Sequence, residues 1–265
     1  MPADTPWSKR PETYHPPVAG YDELGRTYAL TRRPDPRIAR AIDAALGEAV
    51  SVVNVGAGAG SYEPASRRVV AVEPSETMIR QRPPGAAPAV LGRAEALPLC
   101  DSSVDAALAV LTVHHWDDPI AGLRELRRVA RSRVVVLREI SGLEGFWLTE
   151  YFPGLDAVDR PRFLPLSAYS EALGPVSIAA VPIPHDCTDG FLGSAWRRPE
   201  AYLDAAVRAN MSGLRLLAAD EVAAGVGRLA RDLESGAWRE RHAGLLELEE
   251  LDLGYRLVVA DFAAA

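Results

Sequence analysis

The chain has 265 residues, 48% of them hydrophobic and 25% charged, with a formal net charge of -7. That size holds one large domain, or one domain with an elaborated cap, and the composition is that of an ordinary soluble globular chain. The acidic balance argues against nucleic acid as a partner, no apolar run approaches the roughly 18 residues of a membrane span, and Cys100 and Cys187 give neither a disulfide framework nor metal spacing. The opening residues, Met1 to Pro6, have no basic or apolar leader, which reads as a cytoplasmic protein with no metal and no membrane. Lys9 is the one lysine, a bias we read as base composition and not as a binding signal.

Residues 1–20 are rich in proline and polar groups and read as an extended N-terminal arm. The stretch Tyr21 to Arg33 suits a short helix. Pro34-Asp35-Pro36 breaks it and caps a second helix, Arg37 to Leu46, with Ile38, Ala41, Ile42 and Ala45 on one face. Next comes Val52-Val53-Asn54-Val55-Gly56-Ala57-Gly58-Ala59-Gly60. A continuous apolar run marks a parallel strand buried on both faces. Glycines directly after it let the backbone turn tightly and approach a ligand. A second apolar run, Val69 to Val72, is closed by Glu73. An acid there can accept both hydroxyls of a ribose.

A dinucleotide fingerprint has the spacing G-x-G-x-x-G, an acid about 20 residues on and a helix N-terminus for the pyrophosphate. Here the spacing is G-x-G-x-G, the acid comes early, and Pro64 leaves Ser61 to Arg68 room for two helical turns at most. The stretch resembles motif I of the class I S-adenosylmethionine-dependent methyltransferases, whose cofactor carries a nucleoside but no phosphate. Downstream, Ala94-Glu95-Ala96-Leu97-Pro98 and Asp101-x-x-Val104-Asp105 resemble the small-molecule, quinone-biosynthesis branch of that family. The resemblance covers roughly residues 20 to 140.

The resemblance implies a Rossmann-like doubly wound α/β sheet of seven strands, order 3-2-1-4-5-7-6, the last strand antiparallel. It implies that Asn54, Gly56, Ala57, Gly58 and Gly60 shape the cofactor pocket, that Glu73 holds the ribose, and that Ala94 and Glu95 face the adenine. Pro74 and Met78 follow the acid, where side chains flank the adenine; Met78 is equally suited to fill the core. Ser75 caps the helix that starts there. Tyr21, Tyr28 and Arg33 are candidates for the methionine end, the arginine pairing with the carboxylate. The tyrosines can equally pack a helix on the sheet.

The fourth strand ends at Val110-Leu111-Thr112-Val113-His114-His115-Trp116. Ligands of doubly wound sheets lie at the carboxyl ends of the strands, so this tip is the reaction floor, with Leu111 and Thr112 beside the sulfonium. His114 and His115 are the candidate general bases, or else pack and cap the next helix. Asp117 or Asp118 caps that helix, with Pro119 near its first turn. Its arginines, Arg124, Arg127, Arg128 and Arg131, read as a solvated face. Arg133 to Leu137 is the fifth strand.

Residues 21–265 then form one methyltransferase domain in which 141–175 and 185–245 are cap elements over the substrate. Val176 to Ile183 reads as strand six and the run Gly254 to Ala260 as the last strand. Two helices, Glu200 to Met211 and Ala219 to Ser235, lie between them. Trp116, Trp147, Tyr151, His185, Asp186, Phe191 and Trp196 are the candidate substrate wall, because aromatics beside polar groups suit one. The function these residues imply is transfer of a methyl group from S-adenosylmethionine to the O, N or C of a small molecule of secondary metabolism. The alternatives are a non-methylating reaction on the same cofactor, such as cyclisation or elimination, a nicotinamide-dependent oxidoreductase, and a cofactor-binding module without catalysis. Partners are a small-molecule substrate and at most a second copy of the chain, as monomer or homodimer.

Overall fold

The computed structural model describes residues 32–139 and 145–262. The expected arm at 1–20, Tyr21 and Tyr28 lie outside the described residues. Helix α1 (Pro36–Ala45) begins as its sequence dictates: the Asp35 side chain accepts from the Arg37 amide, and Pro36 takes the first position, where no amide is needed. Ile38 and Ile42 are its buried face.

The strands are β1 (Ser51–Val55), β2 (Arg68–Glu73), β3 (Ala89–Leu91), β4 (Val104–Val110), β5 (Ala130–Arg138), β6 (Val176–Ala180), β7 (Ile183–Pro184), β8 (Glu250–Leu251) and β9 (Arg256–Asp261). Seven form one sheet in the order β3-β2-β1-β4-β5-β9-β6, in which β9 runs antiparallel to both neighbours. This is the expected topology. Period-two alternation sends Ala106 and Leu108 of β4 to one core layer and Ala107 and Ala109 to the other. On β5 the same split separates Val135 and Leu137 from Val134 and Val136. Both faces of the sheet are therefore covered, as the unbroken apolar runs require.

The single strand expected over Val176 to Ile183 is two. β6 pairs with β9, and after a break at Val181 and Pro182 the chain pairs β7 with β8 in a small sheet of its own. A proline in mid-run cannot donate to a ladder, which accounts for the break.

The helices that follow are α2 (Glu76–Arg80), α3 (Pro119–Val129), α4 (Leu148–Tyr151), α5 (Gly154–Asp159), α6 (Leu166–Leu173), α7 (Ala205–Ala209), α8 (Ser212–Arg215), α9 (Ala219–Ser235) and α10 (Ala237–Arg241). The helix expected over Glu200 to Met211 is instead a 3-10 turn, Pro199–Leu203, then α7, because Asp204 caps a new start with its side chain. α9 packs on α4, α10 and that 3-10 turn, and α5 on α8, so the segments around 148–162 and 199–241 meet, and their buried side chains share one core layer with Ala106, Leu108, Val135 and Leu137 of the sheet. α6 packs on α3 and thus belongs to the body of the domain.

One arginine of α3 departs from the solvated face expected of it. Arg128 donates to the carbonyls of Leu97 and Leu99, while its partner Glu125 accepts from the Leu97 amide at 2.8 Å. The pair pins the loop that carries Ala94 and Glu95.

Candidate active site

The site is built on the turn after β1. Gly56 has φ +67°, and a Cβ there would sit 2.1 Å from Thr112 Oγ1. Gly58 is also left-handed, at φ +53°. Glycine is what lets this turn pass beneath the β4 tip. Among residues 56–67 the backbone forms turns and no helix. The helix N-terminus that a pyrophosphate would need is thus missing, which removes the structural basis for a dinucleotide.

Glu73 closes β2 and is buried. One carboxylate oxygen accepts the Gly58 amide at 2.8 Å and the other the Ser75 amide at 3.0 Å. Burial pushes its pKa up, against those two backbone bonds and the nearby Arg82. Each carboxylate oxygen has a second lone pair, so the group can still accept from a ligand. The rest of the turn is fixed by a buried ion pair, Arg82 to Glu63 at 2.6 Å. Asn54 donates to Glu63, and Arg82 to the Gly58 carbonyl.

An open cavity of about 1070 Å³, its mouth included, lies above this turn. Asn54, Gly56, Ala57, Gly58, Glu73, Pro74, Met78, Ala94, Glu95, Leu111, Thr112, His115 and Trp116 line it. Gly60 is left-handed at the far end of the turn, beside Arg82 and Glu63. Glu95 already accepts from the Asp118 amide at 3.1 Å, so one of its oxygens serves the start of α3. Leu111 holds φ +50°, an uncommon conformation for a branched side chain and one that concentrates at functional sites.

Arg33 is exposed, and the arginine at this cavity is its neighbour Arg32. The Arg32 guanidinium grips Asp189 at 2.7 Å, and Tyr62 donates to the same carboxylate at 2.9 Å. Tyr62 itself is left-handed, at φ +62°, and lines the cavity. Neither Tyr62 nor Asp189 carries a sequence signal for this role; a tyrosine two residues past Gly60 reads as loop.

A second, smaller cavity, of about 470 Å³ with the open solvent at its mouth included, shares Arg32, Leu111 and His115 with the first. It adds His114, Glu139, Asp159, Phe191, Leu192, Asn210, Met211, Ser212 and Gly213. Of the expected substrate wall, only Phe191 lies here, and Trp116 lies in the first cavity. Trp147, Tyr151 and Trp196 are core. The Trp147 indole donates to the Trp196 carbonyl at 2.7 Å, the Trp196 indole to the Ile183 carbonyl at 2.9 Å, and Tyr151 to Asp232 at 2.8 Å. Their polar atoms are satisfied inside the protein, which leaves them as packing groups. His185 sits on Glu249 beside the β7–β8 sheet, and Asp186 is exposed and paired with Arg37. Among the described residues no cluster could hold a metal ion, and no helix is long and apolar enough to cross a membrane.

The histidines differ from the role expected of them. Arg162 approaches His115 Nδ1 at 3.2 Å. Guanidinium only donates, so Nδ1 is the acceptor and the proton of the neutral ring sits on Nε2. Burial, then Arg162 and Arg32, hold the His115 pKa well below its usual value. No nitrogen of His115 is left to take up a proton. His114 packs between His115 and Phe163, and burial followed by the charges around it keeps it neutral too. The group suited to proton uptake is Glu139, just past β5. Burial, seconded by Asp159, pushes its pKa up to about 7, against Arg162 and a hydrogen bond from Tyr255. A general base works best with a pKa near the operating pH.

A methyltransferase-domain family model matches residues 53–137. A crystal structure described as that of a methyltransferase from an antibiotic biosynthesis pathway of Anabaena variabilis ATCC 29413 is 36% identical, with a TM-score of 0.81, over 87% of this chain and 99% of that one. The chain belongs to the S-adenosylmethionine-dependent methyltransferase family. Other solved structures share the fold alone. The cyclase SpnF has 15% identity and a TM-score of 0.50, over 94% of this chain and 96% of that one. A protein of Bacillus halodurans C-125, described as a methyltransferase, has 14% identity and a TM-score of 0.50, over 85% of this chain and 98% of that one. No curated protein matches the chain.

Membership of the methyltransferase family implies S-adenosylmethionine, and the first cavity fits it. The turn admits no Cβ at Gly56, Glu73 keeps acceptor capacity at the β2 tip, and Met78 and Ala94 supply buried apolar surface. The dinucleotide alternative falls with the family assignment and with the missing helix.

Proposed function

We propose that this chain transfers a methyl group from S-adenosylmethionine to a small molecule of secondary metabolism held in the second cavity. The observation that carries the reading is the wall common to the two cavities, Arg32, Leu111 and His115. A molecule on each side of that wall would meet at the tip of β4. The pathway described for the Anabaena protein supports the choice of acceptor class.

In this reading Glu73 takes the ribose, and Met78, Pro74, Ala94 and Glu95 enclose the adenine. Arg32 replaces Arg33 as the cation at the methionine end. When bound, S-adenosylmethionine supplies a methyl group already activated by its sulfonium. What the protein must add is orientation, exclusion of water and a place for the acceptor's proton. Leu111 and Thr112 form the floor between the reactants. Glu139 takes the proton, and His114 and His115 are positioning residues that hold Glu139, Arg162 and the acceptor in place. The protein acts as a cytoplasmic monomer or homodimer on a small molecule, without nucleic acid.

Calorimetric titration with S-adenosylmethionine and S-adenosylhomocysteine, followed by mass analysis of products, tests the reading. We expect binding of both, a product heavier by one CH2, and one S-adenosylhomocysteine released per turnover. A product of unchanged mass, with the cofactor not consumed, would assign a cyclisation or elimination instead. No binding of either compound would refute the assignment of the first cavity.

A further inference from the structure

Two carboxylates and one guanidinium line the second cavity. The carboxylates are Glu139 and Asp159 and the guanidinium is Arg32, while Arg162 lies behind His115 of the wall. Arg32 is already gripped by Asp189 at 2.7 Å, and Arg162 by Asp159 at 2.8 Å. Glu139 is what remains. Among the described residues only His114 comes within ion-pair distance of it, at 3.9 Å. The other charged or titratable groups around it are Asp159, Arg162, Arg138 and Tyr255. The His114 side chain is only 7% exposed, lines the cavity and makes no hydrogen bond to any described residue. Glu139, its side chain 17% exposed, takes a hydrogen bond from Tyr255 and feels Arg162 and Arg138 at longer range, but no guanidinium of the described residues lies within 4 Å of it, an arrangement that a cationic ligand would complete. Leu111, Phe191, Leu192 and Met211 are the apolar part of a wall that is otherwise polar.

We propose that the acceptor is a primary or secondary amine on an apolar body, bound as its ammonium with Glu139 as counter-ion. This rests on the methyl-transfer reading above. A hydroxyl or carbon acid brings no positive charge and leaves Glu139 with no guanidinium or ammonium of the described residues within 4 Å. A carboxylate would add a third negative charge. The step balances as follows: an N–H proton passes to the Glu139 carboxylate, and the freed nitrogen lone pair forms the N–C bond. The C–S bond breaks with its electron pair left on sulfur. The product is an N-methyl ammonium, which keeps the charge the sulfonium loses, and Glu139 returns its proton to water.

The test uses the full chain loaded with S-adenosylhomocysteine at about pH 8. It is titrated with phenethylamine, phenethyl alcohol and hydrocinnamate, which share one body and differ in the head group. We expect the ammonium to bind about tenfold to a hundredfold tighter than the alcohol, with the carboxylate weakest. In Glu139→Gln that preference disappears while the affinity for S-adenosylhomocysteine stays, which shows that the variant is folded. An equal, reversed or absent preference in the unaltered chain overturns the assignment, as does a preference that survives in Glu139→Gln. The probes are also titrated without S-adenosylhomocysteine. Failure of that compound to bind then overturns the cofactor reading, and the amine result is read independently of it.

Discussion

Gly56→Ala is the sharpest perturbation of the turn beneath the site. Two separate costs arise. The backbone is at φ +67°, and a left-handed conformation costs an L-residue about 1–2 kcal/mol. The new methyl would also lie 2.1 Å from Thr112 Oγ1 and 2.9 Å from both Thr112 Cβ and Cγ2. Rotating the threonine cannot clear it, because Cβ lies on the rotation axis. Thr112 or the turn must shift, and such overpacking costs about 1–3 kcal/mol. The sum is about 2–5 kcal/mol, or a fall in Tm of at least about 4 °C for a chain of this size. Two further variants separate the costs. Gly85 has φ +86° and nothing within 4 Å of its added Cβ, so Gly85→Ala carries the conformational part alone. Thr112→Ala removes two of the three clashing atoms, so Gly56→Ala placed on that background should lose less, by about 1 kcal/mol or more. Urea denaturation of the four variants measures the cycle. A Gly56→Ala cost no greater than that of Gly85→Ala, or one unchanged on the Thr112→Ala background, would refute the account of the turn.

Glu73→Ala should cut affinity for S-adenosylhomocysteine by about a hundredfold or more, and Glu73→Gln by less because it retains one acceptor; unchanged calorimetric affinity in both would break the ribose assignment. Glu139 is protonated more readily folded than unfolded, so its share of stability is full below about pH 4.5 and is lost as the pH climbs to about 7. That span is worth about 3 kcal/mol at most, and Glu139→Gln should flatten the fall between those pH values in urea denaturation. Tyr62→Phe removes a donor to Asp189 and an acceptor for the Asp35 amide, both in buried surroundings, and should cost about 1–3 kcal/mol in the same assay. A change within about 0.5 kcal/mol would show that water replaces the hydroxyl.

The sheet was legible because its information is local. Unbroken apolar runs name buried strands, and Gly56, Gly58 and Glu73 fall within one β-turn-β unit, so a short window contains the floor of the first cavity. Caps were legible for the same reason: Asp35, Ser75 and Asp118 each accept from an amide two or three residues on. The arginine at position 32 or 33 was not, since one residue of register decides which of two identical side chains points inward. Trp147, Tyr151 and Trp196 misled for an energetic reason. Large aromatics bury area wherever they are, and in a long insertion lacking its own sheet they are what gives that insertion a core.

Glu139 shows where the strand-tip rule needs widening. The rule places ligands at the carboxyl ends of the strands beside the switch point, and the tip of β4 follows from it directly. β5 is parallel to β4, with Val110 opposite Leu137 and the Leu111 amide bonded to the Leu137 carbonyl at 2.8 Å. The residues after both strands therefore emerge side by side. A glutamate two positions past Leu137 is then as well placed for chemistry as a histidine four positions past Val110. The sequence carries that signal as a charged pair, Arg138-Glu139, ending a run of four apolar residues. What it lacks is the partner set. Asp159, Arg162, Asn210 and Tyr255 come from three further segments, and only their convergence over the tip of β5 turns an ordinary surface-type residue into a half-buried acid able to hold a proton near neutrality.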